Sequence, residues 1–166
     1  RPGVTFYEAE SEPILSSTLK QAATDPISIP GQSQRLFTPV RFGNEFDFLG
    51  YEVLNSATQG GALRIVTIWG VVHEAPMDSS VFVHLLDADG TIVGQHDGFD
   101  VWTPALKADD IVVQLHTIEI RPDVRADFYR LQTGIYTRAE KERLPVRVDG
   151  IIVADRVWLN MAEVTQ

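Results

Sequence analysis

Cysteine is absent from the 166 residues. That removes disulfides, zinc–thiolate centres and cysteine nucleophiles together. It leaves the compartment open, since such a domain is equally stable in reducing and oxidising surroundings. Positive charge is scarce: 14 Lys and Arg stand against 23 Asp and Glu, for a formal net charge of -9. Nucleic acids and anionic lipid surfaces are met by clustered basic residues, so neither is an expected partner. The bland reading of the charge is solubility. Long apolar runs are missing too. Ile65 to Val72 is among the longest and falls far short of the ~20 residues that a membrane-spanning helix needs, so direct membrane insertion is not expected. No signal peptide is present and the first residue is Arg1 rather than Met, which leads to the expectation of a fragment or processed product. The chain also lacks a G-x-S-x-G elbow, a glycine-rich phosphate loop and any HxH or HxxxH pair, so no catalytic residue, metal ligand set or cofactor is expected.

What remains reads as one globular domain. Hydrophobic residues make up 44%, too many for a disordered chain, and at this length about 70% of the unfolded surface can be buried. Residues 1–45 hold Pro2, Pro13, Pro26, Pro30 and Pro39 among many Ser, Thr and Gln. They read as a lead-in arm or linker packing on the domain, with a short strand near Val4–Tyr7 and a helical turn around Ser17–Ala23. Any helix is expected to be confined largely to residues 14–24.

From Phe46 onward alternation takes over. Leu63 to Val72 is apolar on both faces, which predicts a central strand. Ser80 to Leu86 is a second such strand. Asp87-Ala88-Asp89-Gly90 turns it back into Thr91 to His96, since Asp-Gly supplies the positive φ angles of a tight hairpin. Gly50 suits a bulge, and Gly60-Gly61 and Asp149-Gly150 suit turns. Ile111–Ile120, Phe128–Tyr136, Arg143–Val148 and Ile151–Val164 complete about 8–10 strands. Short strands with no alternating helices predict an all-β, antiparallel sandwich, jelly-roll or immunoglobulin-like, over residues 46–166.

The candidate chemistry is thin. Of His73, His84, His96 and His116, two lie on the strands of one hairpin, His84 and His96, where they can face each other beside Asp97. A metal would need a third ligand that the sequence does not announce, and hydrogen-bonded structural histidines are the competing reading. Asp87-Ala88-Asp89-Gly90 matches half of a calcium loop, but Thr91 and Gly98 stand where further ligands belong. A structural calcium held elsewhere in the sandwich is the only ion left open. Trp69 and Trp158 sit in strand patterns and read as core. Trp102 sits in a polar loop, Asp97 to Pro104, and flat aromatics beside Asp and His are what sugar rings stack on. Trp102, His84, His96 and Asp97 are therefore the candidate ligand-binding set, converging at one end of the sandwich. The alternative is that Phe99 and Trp102 cap that end.

The run Val81-Phe82-Val83-His84-Leu85-Leu86-Asp87-Ala88-Asp89-Gly90, followed by Gln95-His96-Asp97-Gly98, resembles the C-terminal soluble domain of bacterial multi-spanning membrane glycosyltransferases of the dolichyl-phosphate-mannose–protein mannosyltransferase type. Phe48-Leu49-Gly50-Tyr51, Ile68-Trp69, His116 with Pro122-Asp123, Gly134-Ile135-Tyr136 and Arg143-Leu144-Pro145-Val146 fit in the same order, over about residues 40–164. The chain departs at Leu106, Ala108 and Asp109, where that family has Trp and then Pro-Gly. It departs again at Arg125-Ala126-Asp127, in place of Pro-Pro-Gly, and at Gln114, in place of Asp. The resemblance implies that transferase chemistry belongs to the membrane part of such a protein. The tail would then be a non-catalytic accessory sandwich on the extracytoplasmic side of the cell membrane. Its implied partners are a glycan or the membrane-embedded part of the parent. The competing classes are a structural or protein-docking module with no small-molecule ligand, and a small hydrolase built on paired carboxylates.

Overall fold

The computed structural model describes residues 4–5, 27–32, 35–74 and 76–166. In chain order the strands are β1 (Val4–Thr5), β2 (Ile27–Ser28), β3 (Arg35–Leu36), β4 (Val40–Phe42), β5 (Phe46–Val53), β6 (Ala57–Thr58), β7 (Ala62–Val71), β8 (Ser79–Leu86), β9 (Ile92–Asp97), β10 (Ile111–Glu119), β11 (Asp127–Thr137), β12 (Val146–Val148), β13 (Ile151–Ala154) and β14 (Val157–Thr165). The helical element among the described residues is one short 3₁₀ turn, Thr103–Ala105. No helix there is long and apolar enough to cross a membrane. The helical turn expected over Ser17–Ala23 lies outside the described residues.

The strands form two sheets that pack as an all-β sandwich. One runs β1-β10-β7-β5-β4-β12-β13; the other runs β3-β2-β14-β11-β8-β9, with β6 also on β14. Pairing is antiparallel except for β1 on β10 and β6 on β14. The two-faced apolar strands land where burial is greatest. β7 lies between β10 and β5, and β8, buried at every position, lies between β11 and β9. The core between the sheets carries an aromatic knot in which Trp69 packs against Phe48 at 4.9 Å and against Phe42 at 5.3 Å. The sandwich takes in more of the expected arm than its proline content suggests. Ile27, Ile29, Leu36, Val40 and Phe42 all belong to the core, and β4 sits inside its sheet between β5 and β12.

The turns follow their residues. Asp149 and Gly150 both adopt positive φ, 50° and 79°, the mirror-image turn that matches strand twist. The Asp87–Gly90 turn departs from the expected form, because within it positive φ is confined to Gly90. Asp87 supplies the rest: its Oδ1 accepts the Asp89 and Thr91 amides at 3.0 and 2.8 Å. Those bonds give the motif a structural use and occupy a carboxylate oxygen that a calcium loop would offer to its ion.

Candidate functional site

Strand alternation decides which candidate residues meet. In the β8–β9 hairpin Phe82 pairs with Asp97, Val83 with His96, and His84 with Gln95. Paired residues of an antiparallel ladder point to the same face. Phe82, His84 and Asp97 therefore lie on the outer face of their sheet, while His96 goes inward with Val83. The register of β11, Gln132 on His84, Gly134 on Phe82 and Tyr136 on Ser80, adds Gln132 and Tyr136 to the outer set. His84 and His96 thus do not face each other. One residue step along β9 puts His96 and Asp97 on opposite sides of the sheet.

On the outer face Gln132 Nε2 donates to His84 Nδ1 at 3.0 Å. That leaves the imidazole proton on Nε2, which lies 3.3 Å from Asp97 Oδ1 and donates to it. Burial alone would raise the Asp97 pKa. The His84 hydrogen bond and charge outweigh it, with help from Tyr136 and His96, and hold the carboxyl below its ordinary value. Asp97 is accordingly an ionised acceptor at neutral pH. Beneath it Phe82 is fully covered although it faces outward. Its ring lies over Gly134, where a Cβ would come within 2.6 Å of Cζ. His84 flanks the ring at 4.7 Å, and the Arg143 guanidinium lies 4.6 Å above it. Phe82, His84, Asp97, Tyr136, Lys141 and Arg143 line a cleft of about 330 Å³.

Trp102 stands over an adjoining cleft of about 620 Å³, lined also by Ser80, Asp97, Asp100, Tyr136, Arg138 and Lys141. Its side chain is 68% exposed, whereas its neighbours are anchored: Phe99, Val101 and Thr103 are buried. Phe99 meets Phe46 edge-on at 6.0 Å, so it closes this end of the core. Gln114 Oε1 accepts the Asp100 amide at 2.7 Å, and its Nε2 donates to Asp100 Oδ2 at 2.8 Å. Thr103 Oγ1 accepts the Ser79 amide and donates to the Met77 carbonyl. Arg138 donates to the Phe99 carbonyl at 2.7 Å. The capping role read for Phe99 and Trp102 together therefore divides: Phe99 caps, and Trp102 is an exposed ring on a pinned loop.

His96 belongs to a separate, interior arrangement that bridges the two sheets. Its Nδ1 lies 3.0 Å from Nδ1 of His116, which is wholly buried on β10. His116 Nε2 lies 2.9 Å from Thr67 Oγ1, which accepts from Trp69 Nε1 at 2.9 Å. The buried Thr67 hydroxyl must place its own hydrogen, and His116 Nε2 is the acceptor beside it. His116 then donates from Nδ1 to His96. Burial first, and the neighbouring His96 second, push the His116 pKa down to about 3, against a smaller opposing pull from Asp97. This is a neutral structural histidine. Among the described residues no group of three or more His, Asp or Glu is placed to hold a metal ion.

Trp158, read as core, is half-buried instead. It faces outward from β14, with the Arg130 and Arg156 guanidinium groups at 4.9 and 5.7 Å from its ring. Sequence reasoning missed Gln132, Tyr136, Lys141 and Arg143. The signal for the first two was the β11 alternation, which already put Gln132, Gly134 and Tyr136 on one face. Lys141 follows the turn after β11 and Arg143 forms an isolated bridge with Tyr136; nothing in the sequence sets either of them beside the cleft.

No family model matches the chain, and no curated protein matches it. Among solved structures it is similar to the C-terminal domain of Wzt, with 14% identity, a TM-score of 0.52 and coverage of 76% of this chain and 77% of that one. It is also similar to a Niemann-Pick type C2 protein from the Japanese carpenter ant, with 9% identity, a TM-score of 0.46 and coverage of 77% and 96%. At such identities the first likeness bears on the fold alone.

Proposed function

We infer that this chain is a non-catalytic glycan-binding module, the extracytoplasmic accessory domain of a membrane glycosyltransferase. The observation that carries the binding site is Trp102, exposed yet held on a fully anchored loop over a polar cleft. A sugar ring lays its apolar C–H face on such an aromatic plane while its hydroxyls meet polar side chains at the edge. Against the effect of its burial, His84 and Tyr136 hold Asp97 below its ordinary carboxylate range, which makes it an ionised acceptor for a sugar hydroxyl. The placement in a larger membrane enzyme rests on the resemblance of residues 40–164 to mannosyltransferase tails.

Neutral oligosaccharides titrated into the protein should shift the Trp102 indole and the amides of residues 97–102 in NMR spectra. Affinity should be weak, about millimolar, because one stacked ring and a shallow cleft offer little to offset the cost of association. Trp102→Ala should abolish the shifts and leave thermal unfolding unchanged. Equal responses of wild type and Trp102→Ala would sink the assignment.

A second reading is docking on the membrane-embedded part of the parent. It is favoured by the edge strand β13, where Ile151 and Ile152 are 67% and 58% exposed. That reading takes over if no glycan perturbs residues 84–102 at tens of millimolar.

A further inference from the structure

The two clefts share Asp97, Tyr136 and Lys141, so they form one continuous groove across the outer face of the sheet. Its polar groups are unequally committed. On the acceptor side, Asp97 accepts a hydrogen bond from His84 Nε2 and Asp100 is tied to Gln114. Arg138 is spent within the fold, on the Ser79 and Phe99 carbonyls and, at 3.6 Å, on Asp78. Two cations keep free donors. Among the described residues Arg143 uses one nitrogen on Asp155, at 3.1 Å, and sets its guanidinium 4.6 Å from the Phe82 ring centre, which leaves most of its five N–H groups open. Lys141 holds its ammonium 5.2 Å above the Tyr136 ring and, among the described residues, makes no ion pair and no side-chain hydrogen bond.

The backbone adds an independent observation. Lys141 adopts φ 59°, a left-handed conformation that a non-glycine residue rarely takes. Strain of this kind gathers where a side chain must be aimed. The turn is fixed in that form by the Lys141 amide on the Thr137 carbonyl and the Thr137 amide on the Glu142 carbonyl, both at 2.9 Å. The result swings the ammonium back over Tyr136. In a chain of net charge -9, solubility does not explain two under-used cations converging on one groove.

We propose that the ligand is an acidic glycan, whose carboxylate or phosphate sits between Lys141 and Arg143 while an adjacent sugar ring stacks on Trp102. This rests on the glycan-binding reading and deepens it. A neutral sugar would leave both cations with water; an anionic one meets charge-assisted donors on two sides. The exposed Glu140 and Glu142 flank Lys141 in its turn, so the attraction is local and should be sensitive to salt.

The test compares three probes on the intact chain: an oligogalacturonide, its fully methyl-esterified form of the same length, and a sugar phosphodiester oligomer. Titrations would be followed by NMR shifts at residues 97–102 and 136–143. At low salt one or both acidic probes should bind at least tenfold more tightly than the ester, and which of them does so identifies the anion. The preference should shrink severalfold at 0.5 M NaCl. Lys141→Gln should remove most of it while the far-ultraviolet dichroism stays unchanged. Equal binding of acids and ester at Trp102 would overturn the proposal and leave the glycan site standing. Binding of none of the three would overturn both. A preference that survives in Lys141→Gln and in Arg143→Gln alike would also overturn it.

Discussion

The buried His116 should make the domain sensitive to mild acid. In the unfolded chain the imidazole titrates near its ordinary value of 6.5; in the folded chain it does so at about 3. Between those values the unfolded state binds the extra proton, so stability must fall as pH falls. The contribution is fully present above about pH 7. It is lost progressively below 6.5 and levels off only below about 3. One pKa unit corresponds to about 1.4 kcal/mol, so at pH 5 the loss from this one group is about 2 kcal/mol, a large fraction of a typical 5–15 kcal/mol of stability. Asp97 acts in the same direction but only below about its ordinary 3.8, so the window from pH 4.5 to 6.5 belongs to the histidine. Urea unfolding at half-unit pH intervals gives the slope. His116→Gln keeps a polar side chain toward Thr67 and His96 without titrating there. That variant should be less stable than wild type at pH 7.5, and the gap should close by about 2 kcal/mol at pH 5. Parallel curves for the two proteins between pH 4.5 and 7 would refute the reasoning, because they would mean that His116 protonates without unfolding the sandwich.

Gly134→Ala should destabilise by about 1–3 kcal/mol through overpacking, since the new Cβ meets Phe82 Cζ at 2.6 Å and the Asp155 carbonyl at 3.1 Å; calorimetry should show the melting temperature lowered by several degrees, with partial recovery when Phe82 is also changed to Leu. Thr103→Val should cost about 1–3 kcal/mol by leaving the buried Ser79 amide without its acceptor. It should also loosen the Trp102 loop, read as faster hydrogen exchange at residues 99–103.

Much of the fold was legible because it is written in alternation. Both two-faced apolar strands, Leu63–Val72 and Ser80–Leu86, are interior strands of their sheets, and the short strand expected near Val4–Tyr7 appears as Val4–Thr5. Residues 27–42 were harder to read. Their strands are two or three residues long, and prolines interrupt them, so no period develops over which alternation can be counted. The candidate site was legible only in part. Placing His84 and His96 in one site treated the hairpin as if its length were enough. Whether two residues on paired strands meet depends on the parity of the register. A turn of one more or one fewer residue would have reversed the outcome. Lys141 and Arg143 were beyond sequence reasoning for another reason: their positions follow from a left-handed turn residue that no glycine or asparagine signals.

The same parity separates what holds this domain together from what it offers to a ligand. His96 spends its polarity inward, on His116 and through it on Thr67 and Trp69, and a change there falls on stability. Asp97, one residue on, looks outward. The parts that shape the outer groove, Phe82 over Gly134 and the anchors Gln114 and Thr103, are buried beneath it. Trp102 and Lys141, the parts that would touch a ligand, are exposed and make no side-chain hydrogen bond among the described residues. Removing either should therefore leave unfolding almost unmoved, as surface changes usually do. A loss of binding in Trp102→Ala or Lys141→Gln would then report on recognition and not on folding. Thr103→Val is the instructive intermediate. It touches no ligand, yet it should weaken binding by letting the platform move, so its binding deficit and its hydrogen-exchange rates should rise together. If binding falls while exchange at residues 99–103 stays at the wild-type rate, the view of Trp102 as a rigidly presented ring is wrong.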